Sequence, residues 1–402
     1  MRRPLPRDHF RRPLLQTPFH PRLAALMQAE DWYNWGGYVS ARTIRDAEQE
    51  YFAIRNAASL FDLTPMVKYR IAGPEAEAFL DRLTVRDVSK LAAGRVHYTC
   101  WCDDDGHVLD DGTLFRLGAA EFRLCCQERH LNWLLDSAIG FEVEIAEETE
   151  QVAALALQGP TSRALLTRAG FDGIETLKPF QIRDVHLDEG RVTVSRTGFT
   201  GDLGYELFTE PEAALALWDR LWAAGPWHGL QAIGFEALDL ARLEAGFIIA
   251  NSDFITAETA IRVDRRRTPD EIGLGWLVDE KKAAYWTGKR TILAQRRVRS
   301  ARWCLVGLDI DGNVPADHAI VYHKGKAEAG QISAAAWSPS AKRNIALASL
   351  RRPYGDTVKD ELWVEIYALR ELVYHKLMVR ARVVDRPFYD PPRRRATPPA
   401  ET

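Results

Sequence analysis

The sequence predicts an α+β fold, with a large mixed region followed by a small C-terminal β-barrel or sandwich. Three observations carry this. The chain has 402 residues, and one hydrophobic core rarely grows past ~250–300 residues, so at least two domains are expected. Helical and strand-like patterns interleave up to residue 299. Beyond it come only short strand-like runs: WCLVGLDI, HAIVYH, GQISAAAW, ELWVEIY and MVRARVV. The expected organisation is an arm (1–22), a mixed body (23–286), a connecting helix (287–301), the β domain (302–391) and a disordered tail (392–402).

Residues 1–22 are rich in Arg, Pro and His and lack an apolar run behind their arginines, so they read as a surface arm and not a signal peptide. Val67–Ala72 is a strand, and Pro74 opens a helix at a first-turn position, with an apolar stripe of Phe79, Leu80 and Leu83. VHYTCW and HVLDDGTLFRL flank Asp105-Gly106, a hairpin signal. Residues 151–158 are a buried strand ended by Gly159-Pro160, with Thr161 as the expected cap of the next helix. Residues 191–209 are a strand pair around TGFTGDLG. Pro211 and Gly225 bracket a helix carrying Leu215, Trp218, Leu221 and Trp222, and another helix covers 236–245. The tail from Pro391 (PPRRRATPPAET) holds nothing apolar enough to bury.

Composition excludes several classes. With 46% hydrophobic and 27% charged residues the chain is an ordinary globular protein. The formal charge of −3 argues against a nucleic-acid footprint, which needs a basic domain or stripe. No apolar run reaches the ~18 residues of a membrane span. Five Cys are too few for a disulfide scaffold and fit a reducing, cytoplasmic setting. Cys100-x-Cys102 and Cys125-Cys126 lack zinc-ligand spacing, and no metal site is expected. Dinucleotide, phosphate-loop, zinc-protease and serine-elbow motifs are all missing.

The chemistry is expected in two places. Side chains alternate along a strand, so Asp110 and Asp111 face opposite ways. Hairpin parity puts Tyr98 on the face of Asp111, Thr113 and Phe115. A carboxylate, a phenol and a ring on one face can orient a flat, nitrogen-rich ligand and exchange a proton with it. Asp103–Asp105 and Asp110 read instead as solvated turn and strand-end residues. The second place is SRTGFTGDLGYELF (195–208), where glycines let backbone approach a ligand. There Glu206 stands on a strand and is shaped to accept paired hydrogen bonds from an aminopyrimidine-type edge. Trp32, Tyr33, Trp35, Tyr38 and Trp101 are candidates for an aromatic wall, although packing in the core is the better explanation for any one of them taken singly. The run Arg265-Arg266-Arg267 reads as a solvated charge run that has the chemistry to meet a carboxylate.

Further segments, in order, are AIRNAASLFDLTPM (53–66), GRVHYT (94–99), GHVLDD (106–111), ALQGP (156–160), SRTGFTGDLGYEL (195–207), ALDLARLEAGF (237–247), TPDEIGLGWLV (268–278), GQISAAAWSPS (330–340), NIALA (344–348) and RPFYDP (386–391). Their succession resembles the folate-dependent aminomethyltransferase family, comprising the glycine cleavage T-protein and its tetrahydrofolate-dependent demethylase relatives. The resemblance implies a cloverleaf, T-protein-like folate-binding fold with a C-terminal β-barrel-like domain, and tetrahydrofolate as cofactor. It makes Asp111 the counterpart of the catalytic aspartate. It puts Tyr98, Glu206, Met66, Phe115 and Phe199 where the family contacts the cofactor. Tyr33, Trp35, Trp101 and Asn251 remain candidates for the substrate side.

The departures from T-proteins also inform. Pro65 replaces a His, Phe115 and Phe199 replace tyrosines, Leu238 replaces an Arg, and Ile249-Ala250-Asn251-Ser252-Asp253 replaces "YGQDM". The resemblance therefore implies a transferase moving a methyl group from a small methylated donor (an aromatic methyl ether, a sulfonium or a methylamine) to tetrahydrofolate N5. The alternatives are the T-protein reaction itself and a non-catalytic iron–sulfur assembly factor on the same fold. The expected partner is a small molecule, with neither nucleic acid nor membrane, and homo-oligomerisation is compatible with the sequence.

Overall fold

The structure, a computed structural model, describes residues 13–396. The chain begins with helix α1 (His20–Leu26), whose Pro21 sits in the first turn, and a ribbon of β1 (Asp31–Trp35) and β2 (Tyr38–Thr43). Helix α2 (Ala47–Asn56) starts where the Asp46 carboxylate accepts from the Gln49 amide at 2.9 Å. Strand β3 (Ala58–Asp62) is buried along its whole length, and β4 (Val67–Ala72) leads to α3 (Ala76–Leu83), which buries Phe79, Leu80 and Leu83. Strands β5 (Arg95–Cys102), β6 (Val108–Arg116) and β7 (Glu121–Cys126), helix α4 (Leu131–Ser137) and β8 (Glu144–Glu147) follow. They complete a five-stranded sheet ordered β5-β6-β7-β4-β8.

Next come β9 (Ala153–Gln158), α5 (Ser162–Arg168), β10 (Ile182–Leu187), β11 (Gly190–Ser195), β12 (Gly204–Thr209), α6 (Ala214–Ala224), β13 (Leu230–Ala232) and α7 (Phe235–Glu244). A six-stranded sheet, β10-β11-β12-β9-β3-β13, results. After α8 (Lys289–Val298), strands β14 (Trp303–Ile310), β15 (Ile320–His323), β16 (Ala327–Ser338), β17 (Arg343–Arg351), β18 (Leu362–Arg370) and β19 (Val373–Val384) close into a barrel. The α+β class with a C-terminal barrel is therefore as expected. Among the described residues no helix is long and apolar enough to cross a membrane.

The two sheets face each other through one apolar layer. Val96, Phe115 and Cys125 enter it from the five-stranded sheet, and Phe61, Ala154, Ala156 and Phe208 from the other. Phe115 and Phe208 meet edge to face, with centroids 5.4 Å apart. A buried ion network locks helices to barrel. Arg55 of α2 pairs with Glu244 of α7 (2.7 Å) and with Asp202 (3.2 Å), while Glu244 also accepts from Tyr51 and from Ser338 of β16. Such a network is costly to desolvate, so its completeness is what makes it tolerable.

Three expectations are corrected. The segment just before residue 22 is not a surface arm: Leu15 bridges to Tyr38, Thr17 donates to Asp62, and Phe19 is fully buried against Trp218. An apolar ring in that register finds the core of the six-stranded sheet. Residues 1–12 lie outside the described residues. The tail is held as far as 396, because Arg393 binds Asp202 with two hydrogen bonds and Arg196 donates to the Ala396 carbonyl; residues 397–402 lie outside the described residues. Thr161 does not cap α5, since its hydroxyl donates to the His228 carbonyl at 2.8 Å.

Candidate functional site

The β5–β6 hairpin is set by its turn. The Asp103 carboxylate accepts from the His107 amide at 2.8 Å, and Gly106 has φ +78°. A Cβ at Gly106 would sit 2.8 Å from Ile292 of α8, so that corner excludes a side chain on two counts. Tyr98 then pairs with Thr113 and Cys100 with Asp111, which puts Tyr98, Asp111 and Phe115 on one face. The Tyr98 hydroxyl donates to Asp111 Oδ2 at 2.7 Å. Burial, then the neighbouring Asp110 charge, push the Asp111 carboxyl up to about 8, and the Tyr98 bond only partly offsets them. Burial also drives the Tyr98 phenol well above its ordinary value.

Glu206 stands on β12 opposite Ala156, on the face that carries Phe208 toward the shared layer. It is buried, its carboxyl is raised by burial, and Thr197 is its one hydrogen-bond donor among the described residues. The loop glycines differ from expectation. A Cβ at Gly198 or Gly204 would collide with the Gln158 amide, and one at Gly201 with Ala245. Gln158 clamps the loop through Thr197, Thr200 and Tyr205. The glycines thus make room for side chains of the same protein, Gln158 and Ala245.

Met66 and Phe199 pack half-buried on the shared layer, and Phe199 also stacks on Phe247 at 5.5 Å. Phe115 is fully buried in it. Lys68 is buried with Nζ on the carbonyls of Thr64 and Met66, which fixes the corner carrying Met66; burial pulls its pKa down to about 8.

The aromatic wall does not assemble as one surface. Tyr33 packs on Phe235 and Trp35 on Phe61, both at the edge of the shared layer. Trp32 packs at a tilt against His20 and joins the core behind the six-stranded sheet. Trp101 is fully buried behind the five-stranded sheet, edge-on to His130, and is turned away from Asp111 by strand alternation. Its place on the substrate side is corrected to a core position. Asn251 has φ +62° and organises its own loop: its amide donates to Glu128, and its carbonyl accepts from Thr256 and Thr259.

Sequence reasoning missed a second buried cluster directly behind Asp111. Asp110, expected at a solvated strand end, is wholly buried. Its carboxylate accepts from the amides of Asp111 (2.8 Å) and Glu128 (3.0 Å), and from His130 Nε2 at 3.1 Å. His130 Nδ1 lies 3.0 Å from Glu258. Burial opposes the imidazolium, but hydrogen bonds to Asp110 and Glu258 outweigh it and push the ring up to about 9. Asp253, bonded to Arg242 and Ser333, adds to the negative field at Asp111. The alternation that turned Asp110 away from Asp111 was the available signal.

Two raised carboxyls, one with unused acceptor capacity, project from facing sheets over an apolar layer. They suit a flat molecule with N–H donors on its edge. Among the described residues no group of His, Cys, Asp and Glu is placed to hold a metal ion.

Comparison with known proteins identifies the family and the fold. A family model described as the GCVT N-terminal domain matches residues 19–282, and one described as the glycine cleavage T-protein C-terminal barrel domain matches 304–390. A trimethylamine-oxide aldolase of Ruegeria pomeroyi is 34% identical over 393 residues, covering 94% of this chain and 48% of that protein. The chain thus spans about half the length of that relative. An aminomethyltransferase of Bacillus subtilis is 31% identical over 362 residues, 89% of this chain and 94% of the relative. The crystal structure of the glycine cleavage system aminomethyltransferase T from Bartonella henselae shares the fold, with a TM-score of 0.80 at 23% identity, covering 94% of this chain and 98% of that one. Proteins of this kind bind tetrahydrofolate. By motif order, paired domains and architecture, the chain belongs to the GCVT aminomethyltransferase family of folate-dependent enzymes.

Proposed function

We propose that the protein moves a methyl group from a small methylated donor to N5 of tetrahydrofolate. The observation that supports it most is the Tyr98–Asp111 pair: a carboxyl raised to about 8 and held at 2.7 Å by a phenol, facing a sheet that carries a second buried carboxyl, Glu206. Tetrahydrofolate, when bound, supplies the nucleophilic amine, so no protein nucleophile is needed. Glu206 accepts the N–H edge of the pterin, while Met66, Phe115 and Phe199 keep water from its faces. Asp111, poised near neutral pH, holds the proton that a departing amine or oxygen requires. The relative named trimethylamine-oxide aldolase supports a methylated nitrogen compound as the carbon source, although an aldolase releases that carbon at the aldehyde level and so does not itself support transfer of an intact methyl group.

A second reading, the aminomethyl transfer of glycine cleavage, draws on the Bacillus subtilis relative, which matches over 94% of its length. Against it stands Leu238, buried in the apolar layer where T-proteins carry an arginine.

The test is incubation of purified protein and tetrahydrofolate with aromatic methyl ethers, sulfonium propionates, dimethylglycine, sarcosine and trimethylamine oxide. 5-Methyltetrahydrofolate should form with at least one donor; none across the panel would overturn the proposal. 5,10-Methylenetetrahydrofolate from aminomethyl-lipoyl protein would establish the second reading.

A further inference from the structure

The arginine run 265–267 takes no part in the site above. Arg265 and Arg267 line a separate cavity of about 350 Å³, between the segment 252–272 and barrel strands β14, β16 and β17. Arg267 is 7% exposed. Its Nη1 donates to the carbonyls of Asp264 (2.8 Å) and Arg266 (2.9 Å), and its guanidinium lies 4.2 Å from the centre of the Trp303 ring. Arg351, the cross-strand neighbour of Trp303, approaches the same ring at 5.4 Å.

None of Arg265, Arg267 and Arg351 has an ion pair among the described residues. The nearby carboxylates are committed elsewhere. Asp264 pairs with Arg262 at 2.7 Å, Asp253 serves Arg242 and Ser333, and Glu271 accepts from the amides of Thr268 and Arg302. Glu328, exposed at the rim, is the one lining carboxylate without a described partner. Burial pulls the Arg267 guanidinium down to about 10, and the Glu271 and Asp264 charges only partly offset it. Desolvating a cation without a counterion is costly, and a guanidinium stacked on indole presents its remaining N–H groups to an incoming anion.

We propose that this cavity is a second ligand site, which binds a carboxylate-bearing molecule between Arg265, Arg267 and Arg351 against Trp303. The site is joined to the chemistry by backbone. The Arg267 carbonyl accepts from the Val108 amide at 2.8 Å, at the start of the strand that carries Asp111, and Asp253 belongs both to the cavity wall and to the field at Asp111. The carboxylate has two sources: the γ-linked glutamyl tail of a folate, which rests on the function proposed above, or a free polycarboxylate.

Calorimetry on the full chain separates them, using tetrahydrofolate monoglutamate, its triglutamate, γ-glutamylglutamate and citrate, each against the wild type and an Arg265→Ala/Arg351→Ala double variant. Both replaced residues are exposed, so the fold should survive, with circular dichroism as the check. A triglutamate bound about tenfold more tightly than monoglutamate, with the difference erased in the variant, supports the site with the folate tail as occupant. Indifference to tail length, with citrate or γ-glutamylglutamate binding that weakens about tenfold in the variant, supports the site with a free polycarboxylate. Citrate binding without any monoglutamate binding keeps this site and overturns the folate reading instead. Absence of both binding and tail-length preference overturns the site, as does a variant that binds every probe like the wild type.

Discussion

Asp110 and Asp111 are neighbours in sequence but face opposite sides of the five-stranded sheet, and the Asp111 amide donates to the Asp110 carboxylate at 2.8 Å. The front carboxyl looks into the layer between the sheets; the back one is locked to His130. The charge behind the strand is thereby a cause of the raised pKa in front of it.

Asp111→Asn keeps the shape and removes the acid. Turnover should fall by about 10²–10⁴, while the dissociation constant for tetrahydrofolate changes little. Glu206→Gln should show the reverse emphasis, with folate affinity falling by about tenfold or more through loss of a charge-assisted acceptor. Titration calorimetry and single-turnover rates on both variants check this, and equal losses in the two measurements for both variants would contradict the division of roles.

The acid limb assigned to Asp111 predicts that activity declines as pH rises through about 8. The hydrogen bond from Tyr98 lowers that pKa, so Tyr98→Phe should move the decline to higher pH. Stability carries a matching sign. A carboxyl raised from 3.8 to about 8 on folding binds its proton more tightly in the native state, so its contribution is lost as pH climbs through that window. A pH–rate profile that stays put in Tyr98→Phe would show that another group sets the limb.

His130→Asn leaves the Asp110 carboxylate buried without its cation and should destabilise the fold by about 3–5 kcal/mol. Glu258 is 59% exposed at its side chain, so Glu258→Gln should cost far less. The imidazole is raised from 6.5 to about 9, so its stabilisation is complete below 6.5 and fades as pH rises through 9. Denaturant midpoints measured across that range should converge for wild type and His130→Asn at the alkaline end.

Trp101→Phe tests the corrected position of that ring. A core role predicts a loss of about 1–3 kcal/mol in stability with the KM for donor and folate unchanged. A raised donor KM at full stability would return Trp101 to the substrate side.

Much of this molecule is legible in the linear chain, because the signals involved are local. Period-two alternation is enough to put Tyr98, Asp111 and Phe115 on one face, and the same rule turns Asp110 away. The change of texture after α8 announces the barrel, and the ordered motifs point to the family. The closures are of another kind. His130 reaches Glu258 across 128 positions, and Arg393 reaches Asp202 across 191. Nothing in the local pattern shows that both faces of the five-stranded sheet are covered, yet this is why Asp110 and Trp101 are buried and not solvated or substrate-facing. Alternation says which side chains share a face. What covers that face depends on which distant apolar surfaces pack together, and that is decided only when the whole chain has closed on itself.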